Sequence, residues 1–206
     1  LVVDTIPHGA VDTQRFVVRT TPEATAATLI APGDAPELLW AELQGLGVRP
    51  VAILLTHTDV DHVAAVADIV DRSGADVWCP RVEADVLRDP LSSLRPLVHS
   101  GVRAYDPEHL VSGGDRFVVA GITFDVLDTP GHSSGHIAFC ADGCLFSGDL
   151  LFAESLGHAR HAGGDWKALL SSVRRVMELL PPETVVYPSH GATTTLAEAR
   201  SNVPKG

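Results

Sequence analysis

Aromatic side chains make up only 5% of this 206-residue sequence, and cysteine occurs three times. Cys79, Cys140 and Cys144 cannot all pair, and so few cysteines in this length exclude a disulfide scaffold. No Lys/Arg-rich run exists, and 15 Lys+Arg against 26 Asp+Glu leave a formal net charge of −11. A surface of that sign with no basic patch argues against nucleic acid or an anionic membrane as partner. The longest apolar stretches, such as Val51–Leu55, fall far short of the ~20 residues that span a bilayer. Leu-Val-Val-Asp at the start lacks the charged and apolar regions of a signal peptide, although without an initiator Met that end is open to trimming. A cytoplasmic protein is the expectation.

Linkers, repeats and low-complexity segments are also missing, so residues 1–206 read as a single domain long enough to bury a sizeable core. Its apolar content is mainly aliphatic, in short runs that alternate with helical stretches. Val2–Ile6, Arg15–Arg19, Ala26–Ile30, Val51–Leu55 and Asp76–Cys79 read as strands; Pro36–Leu46, Val63–Ser73 and Val82–Leu87 read as helices. The second half repeats the pattern. Phe117–Val119, Thr123–Leu127, His136–Cys140, Cys144–Ser147 and Thr184–Tyr187 are expected strands, with helices over Trp166–Leu180 and Leu196–Asn202. Two groups of strands with helices between and after them predict an α/β fold of two sheets sandwiched by helices. Cys140 and Cys144 flank Ala-Asp-Gly, a hairpin-turn sequence that would let the two thiols, expected reduced, face each other.

Four separate places present His or Asp just past a predicted strand end. His57, Asp59, Asp61 and His62 follow Val51–Leu55; His132 follows Thr123–Leu127; Asp149 follows Cys144–Ser147; His190 follows Thr184–Tyr187. Strand ends on a rigid sheet can gather side chains distant in sequence, and imidazoles with carboxylates suit divalent first-row metals. Seven candidates exceed what one tetrahedral ion uses, whereas two ions sharing a carboxylate would use all seven. A lone loop histidine is usually a hydrogen-bonded surface residue, and an Asp at a helix start can simply cap it, as Asp61 could in part. Capping does not call for two His beside two Asp.

Thr56-His57-x-Asp59-x-Asp61-His62 resembles the T-H-x-H-x-D-H signature of the metallo-β-lactamase-fold hydrolases, particularly the single-domain glyoxalase II-like (hydroxyacylglutathione hydrolase-like) branch. Thr129-Pro130-Gly131-His132-Ser133-x-Gly135-His136 is similar to T-P-G-H-T-x-G-H, and Ser147-Gly148-Asp149-x-Leu151-Phe152 to S-G-D-x-L-F. Pro188-Ser189-His190-Gly191 resembles P-G-H-G, and the tail Thr194–Asn202 resembles T-T-I-G-x-E-R-x-x-N. The resemblance spans nearly the whole chain. It implies an αββα four-layer sandwich of two mixed β-sheets flanked by helices, with metals at one edge of the sheets. By position it assigns site 1 to His57, Asp59 and His132, site 2 to Asp61, His62 and His190, and the bridge to Asp149. It further implies a hydroxide held between the ions attacking the carbonyl of a small thioester or ester, Asp61 orienting the nucleophile, and His136 in support.

Departures from the pattern sharpen the expectations. Asp59 stands where the family has His; as a ligand it adds a carboxylate, makes the site less positive and moves preference from zinc toward iron or manganese. Two divalent ions, zinc first, are expected, with a single-metal site as the alternative. Ala31 replaces an Asp that supports the site in the family. Gly157-His158-Ala159-Arg160-His161 replaces G-R-x-D, so His158 and His161 are read as substrate-facing, and Trp166 as able to wall the pocket. Trp40 and Trp78 read as core or half-core, and His8, His99 and His109 as surface residues. The helical glutathione-binding domain of glyoxalase II proper is absent from these 206 residues, and a small-molecule substrate is expected. A homodimer, a lactonase, a mono-iron persulfide dioxygenase and a non-catalytic ligand binder stay open as alternatives.

Overall fold

The computed structural model describes residues 1–8, 13–90, 102–160 and 163–204. The chain divides into two compact units, each built largely on one six-stranded mixed sheet. In the first, β1 (Val2–His8), β2 (Thr13–Arg19), β3 (Ala26–Ile30), β4 (Arg49–Leu54), β5 (Asp76–Pro80) and β6 (His109–Val111) lie across the sheet in chain order. β1, β2 and β3 pair antiparallel, and β3 to β6 run parallel. Parallel strands buried on both faces need continuous apolar sequence. Ala52–Leu54 and Val77–Cys79 supply it, with Leu29, Leu39, Leu43 and Ile69 packing in the same core.

Helices α1 (Pro36–Gly45), α2 (Val60–Val63), α3 (Val66–Ser73) and α4 (Ala84–Arg88) connect these strands. The helix expected over Val63–Ser73 starts earlier, at Val60, and breaks at Ala64 and Ala65. The break has a physical cause: Gly33 takes over the local backbone groups. Its N–H donates to the His62 carbonyl (3.1 Å) and its carbonyl accepts from the Ala65 N–H (2.8 Å). Gly33 has φ +70°, and a Cβ there would sit 2.7 Å from Arg15 Nε, so no other residue fits without displacing that side chain.

The second unit carries β7 (Arg116–Val119), β8 (Ile122–Asp128), β9 (Ile137–Ala141), β10 (Cys144–Gly148), β11 (Val185–Pro188) and β12 (Thr194–Thr195), in sheet order β12-β11-β10-β9-β8-β7. β10 and β11 pair parallel, whereas β8, β9 and β10 pair antiparallel in turn, so β8, β10 and β11 point the same way. Helices α5 (Trp166–Leu179) and α6 (Leu196–Ala199) complete it. Leu169, Val173 and Val176, at helical spacing on α5, pack with Leu145, Val186 and Leu196. No helix of the described residues is long and apolar enough to cross a membrane.

Three readings change. β6 and β12, of three and two residues, are too short to show a period. His109 is not a solitary surface residue: it stacks on Trp78 (4.1 Å between centroids), and its Nε2 lies 3.1 Å from Asp76 Oδ2. Cys140 and Cys144 do not face each other. The β9–β10 turn is Asp142-Gly143, with φ of 46° and 75°, so Cys144 pairs with Ala141, and Cys140 with Leu145. Partners share a face and neighbours alternate, which puts the two thiols on opposite faces of the sheet. His99 lies outside the described residues, as does the side chain of His8.

Candidate metal centre

Ligands in a parallel sheet gather at the carboxyl ends of strands. In the first unit those ends deliver the Ala31–Asp34 loop after β3, His57 after β4 and Glu83 after β5. Leu55 continues the sheet through its N–H to the Trp78 carbonyl (3.0 Å), and the chain then turns at Thr56. Thr56 Oγ1 lies 3.0 Å from His57 Nδ1, which leaves Nε2 facing Asp59 Oδ2 at 3.7 Å. Asp59 occupies the N-cap of α2, yet its carboxylate makes no capping bond; its carbonyl accepts from His62 N (2.9 Å) and Val63 N (3.2 Å). Capping therefore does not account for the Asp59 side chain. Asp61 Oδ2 accepts from Thr13 Oγ1 (2.8 Å) and lies 3.6 Å from His62 Nε2. The His57 and His62 rings, both buried, sit 4.0 Å apart.

The connecting residue Thr58 is held from both ends. Its N–H and its hydroxyl each donate to Glu83 Oε2 at 2.7 Å, and Glu83 is itself buried. Beneath the 31–34 loop, buried Arg15 donates to the Asp34 carbonyl and to Asp34 Oδ1 (3.1 Å). Burial pulls the Arg15 guanidinium below its ordinary pKa, against the opposing pull of Asp34. This anchored loop stands where the family has the supporting Asp replaced here by Ala31.

In the second unit, β8, β10 and β11 end together and deliver His132, Asp149 and His190. His132 Nδ1 lies 2.8 Å from the His158 carbonyl, which can only accept, so Nδ1 carries the proton and Nε2 the lone pair. That Nε2 is 3.6 Å from Asp149 Oδ2, and His190 Nε2 is 3.6 Å from Asp149 Oδ1. Ser189 Oγ donates to Oδ1 of the same carboxylate. His136 is positioned differently. Its Nε2 accepts the Asp149 backbone N–H (3.1 Å), so its Nδ1 donates to Thr129 Oγ1 (2.8 Å) and the ring supports Asp149 from behind. Gly157 backs the same residue so closely that a Cβ there would lie 1.7 Å from the Asp149 carbonyl oxygen.

These four His–Asp separations, 3.6 to 3.7 Å, are too long for hydrogen bonds. They match the edge of a tetrahedral shell, about 3.3–3.6 Å when ligand distances are about 2.0–2.2 Å. Imidazole nitrogens that face carboxylate oxygens at these separations form a divalent-cation donor set, so the residues fit the metals that the motif implies.

A cavity of about 630 Å³ is lined by His158, Arg160, Trp166 and Asn202 among others. The His158 ring lies 5.0 Å from that of His132, and Trp166 is about half exposed. A smaller cavity of about 370 Å³ takes in Phe152 and His190. Glu154 and Ser155 line both. Their segment is held by Asn202 Nδ2, which donates to the carbonyls of Phe152 (3.3 Å) and Ala153 (2.9 Å). His161 lies outside the described residues. Thr13, Glu83 and Ser189 were given no role from the sequence, because each acts on a partner distant in the chain.

The family model for the metallo-beta-lactamase superfamily matches residues 20–190. The chain belongs to that superfamily. It is 29% identical over 181 residues to the hydroxyacylglutathione hydrolase GloC of Haemophilus influenzae, with 85% of each chain covered. Among solved structures it is similar to BLEG-1 B3 metallo-beta-lactamase, with 32% identity, 98% of both chains covered and a TM-score of 0.90. It also resembles TTHA1623 in a di-iron-bound form, with 36% identity, 98% and 99% covered and a TM-score of 0.81. Its two mixed sheets flanked by helices are the fold of these metallo-hydrolases.

Proposed function

We propose that this superfamily member is a metal-dependent hydrolase of small thioesters or esters, with a glyoxalase II-like centre of two divalent ions. One observation carries the reading: the two carboxylate oxygens of Asp149 each face a different imidazole Nε2 at 3.6 Å, the disposition of a bridging ligand. In this assignment, which follows the order of the motifs, His57, Asp59 and His132 would hold one ion and Asp61, His62 and His190 the other, with Asp149 shared. Divalent ions supply a Lewis acid for the carbonyl and lower the pKa of water. Asp61, which accepts from Thr13 Oγ1 at 2.8 Å, would accept a hydrogen bond from the attacking water and orient it. His132 and His136 keep fixed tautomers through the His158 carbonyl and Thr129, so neither side chain has to reorganise during turnover. His158 and Trp166 line the substrate cavity. Zinc is the proposed metal; the extra oxygen of Asp59 makes iron or manganese the alternatives.

Metal quantification on purified protein, with thiol release from a generic thioester, tests the proposal. Two ions per chain and metal-dependent thiol release are expected, and Asp149→Asn lowers both. An Asp59→His variant should shift the bound metal toward zinc; unchanged metal content and identity would remove Asp59 from the ligand set. Bound metal with no thioester or ester turnover overturns the hydrolase reading.

A further inference from the structure

The cavity lined by His158 also holds a cation, Arg160, with no carboxylate partner among the described residues. Many arginines in this acidic chain are bound to carboxylates, such as Arg19 to Asp4, Arg88 to Asp85 and Asp106, Arg103 to Asp68 and Asp71, and Arg116 to Asp125, and Arg49, Arg81, Arg174 and Arg175 donate to backbone carbonyls. Arg200 is exposed without such a partner among the described residues, but it does not line this cavity. Arg160 differs in its place. It is exposed, it lines the 630 Å³ cavity, and among the described residues it makes no ion pair or hydrogen bond. Glu154 lines the same cavity, yet no ion pair joins it to Arg160. Arg160 thus borders, without a partner among the described residues, a space that is also lined by His158, whose ring lies 5.0 Å from that of His132. Trp166 supplies an apolar wall to the same space.

A guanidinium presents a planar fork of donors that matches a carboxylate bidentately, and such charge-assisted pairs are stronger than neutral hydrogen bonds. A net charge of −11 works against anionic ligands at the surface as a whole, so a single unneutralised arginine in a cavity gives local selectivity for one negative group. We propose that Arg160 is a specificity residue that binds a carboxylate carried by the substrate, so that the preferred substrates are thioesters or esters bearing one carboxylate. The inference rests on the hydrolase reading for the reaction, but not for the binding.

Three thioesters read the preference: butyryl-N-acetylcysteamine is neutral, succinyl-N-acetylcysteamine carries the carboxylate on the acyl arm, and butyryl-3-mercaptopropionate carries it on the thiol arm. Metal-loaded protein should favour one carboxylate-bearing substrate over the neutral one by roughly 10- to 100-fold in kcat/KM, through KM. Arg160→Gln should bring that ratio close to one, and Arg160→Lys should restore part of it, because a lysine keeps the charge but not the fork. Equal rates for all three substrates in the unaltered protein, or an Arg160→Gln variant that preserves the ratio, would overturn the assignment. Calorimetry with the non-hydrolysable thioether analogues separates the two readings. If no thioester is turned over while the carboxylate-bearing thioether still binds in an Arg160-dependent way, the hydrolase reading fails and the carboxylate site stands. If that thioether binds no better than its neutral counterpart, the site fails.

Discussion

At the scale of single residues, the ligand motif is held in shape by side chains far from it in sequence. Glu83 is the clearest case, because one buried carboxylate oxygen receives both the N–H and the hydroxyl of Thr58, the residue between His57 and Asp59. Removing it leaves two buried donors unsatisfied and frees the loop that spaces the ligands. Glu83→Ala is expected to cost about 2–3 kcal/mol of stability and to weaken metal binding about 10- to 100-fold. Glu83→Gln, which keeps an acceptor oxygen, should lose less of each. Thermal melts and competition with a chelating dye measure the two effects; a Glu83→Ala protein with unaltered metal affinity would show that the loop holds itself. His57, Asp59, Asp61 and His62 could be read as candidates because residues that share a loop share a motif. Thr13, Glu83 and Ser189 could not, since Thr13 reaches Asp61 across 48 residues and Glu83 reaches Thr58 across 25. Only folding brings such pairs together.

Elements tell a similar story through register. Long strands with strong patterns, such as Ala26–Ile30, were readable, and so was the strand-to-loop exit that places His57. The split between α2 and α3 was not, because it depends on Gly33 of another loop supplying backbone partners. Nor did composition reveal which turn residues close the β9–β10 hairpin. The two-residue Asp142-Gly143 turn sets the register that sends Cys140 and Cys144 to opposite faces, and this has a chemical consequence. Burial, with a smaller contribution from Asp125, pushes the Cys140 thiol up to about 12, and burial raises that of Cys144 as well. Thiolates, not thiols, attack disulfides and oxidants. Mild oxidation at pH 8 should therefore leave no Cys140–Cys144 disulfide in the folded protein, as read by mass spectrometry of the peptides. Alkylation of Cys140 should be far slower than in the unfolded chain. A bridge formed without unfolding would overturn the register.

For the molecule as a whole, buried acids that stay protonated tie stability to alkaline pH. Cys79 is raised to about 12 by burial first and by Glu83 second, and Cys140 is raised to about 12 in the other sheet. Burial, followed by the hydrogen bond to Glu108, lifts the Tyr105 phenol in the same direction. In the unfolded chain each thiol returns to its ordinary value near 9.0. Below pH 9 both states hold these protons, and the stabilisation is complete. Between about pH 9 and 12 the unfolded chain releases protons that the folded one retains, so unfolding becomes progressively more favourable. The slope approaches about 1.4 kcal/mol per pH unit for each thiol, and the tyrosine adds to it above pH 10. Denaturant titrations from pH 8 to 11 should show the midpoint falling steadily above pH 9. Cys140→Ala removes one of the two thiol contributions and should flatten that fall while leaving the pH 8-to-9 segment unchanged. A midpoint independent of pH up to 11, or an identical fall in the variant, would mean that the thiols titrate alike in both states. Acid-side behaviour belongs to a different set of groups, the carboxylates held low by arginine or hydroxyl partners such as Asp125 and Glu198. Their stabilisation is present above the ordinary carboxylate range and fades as pH falls through it, so the two sides of the stability profile can be varied independently.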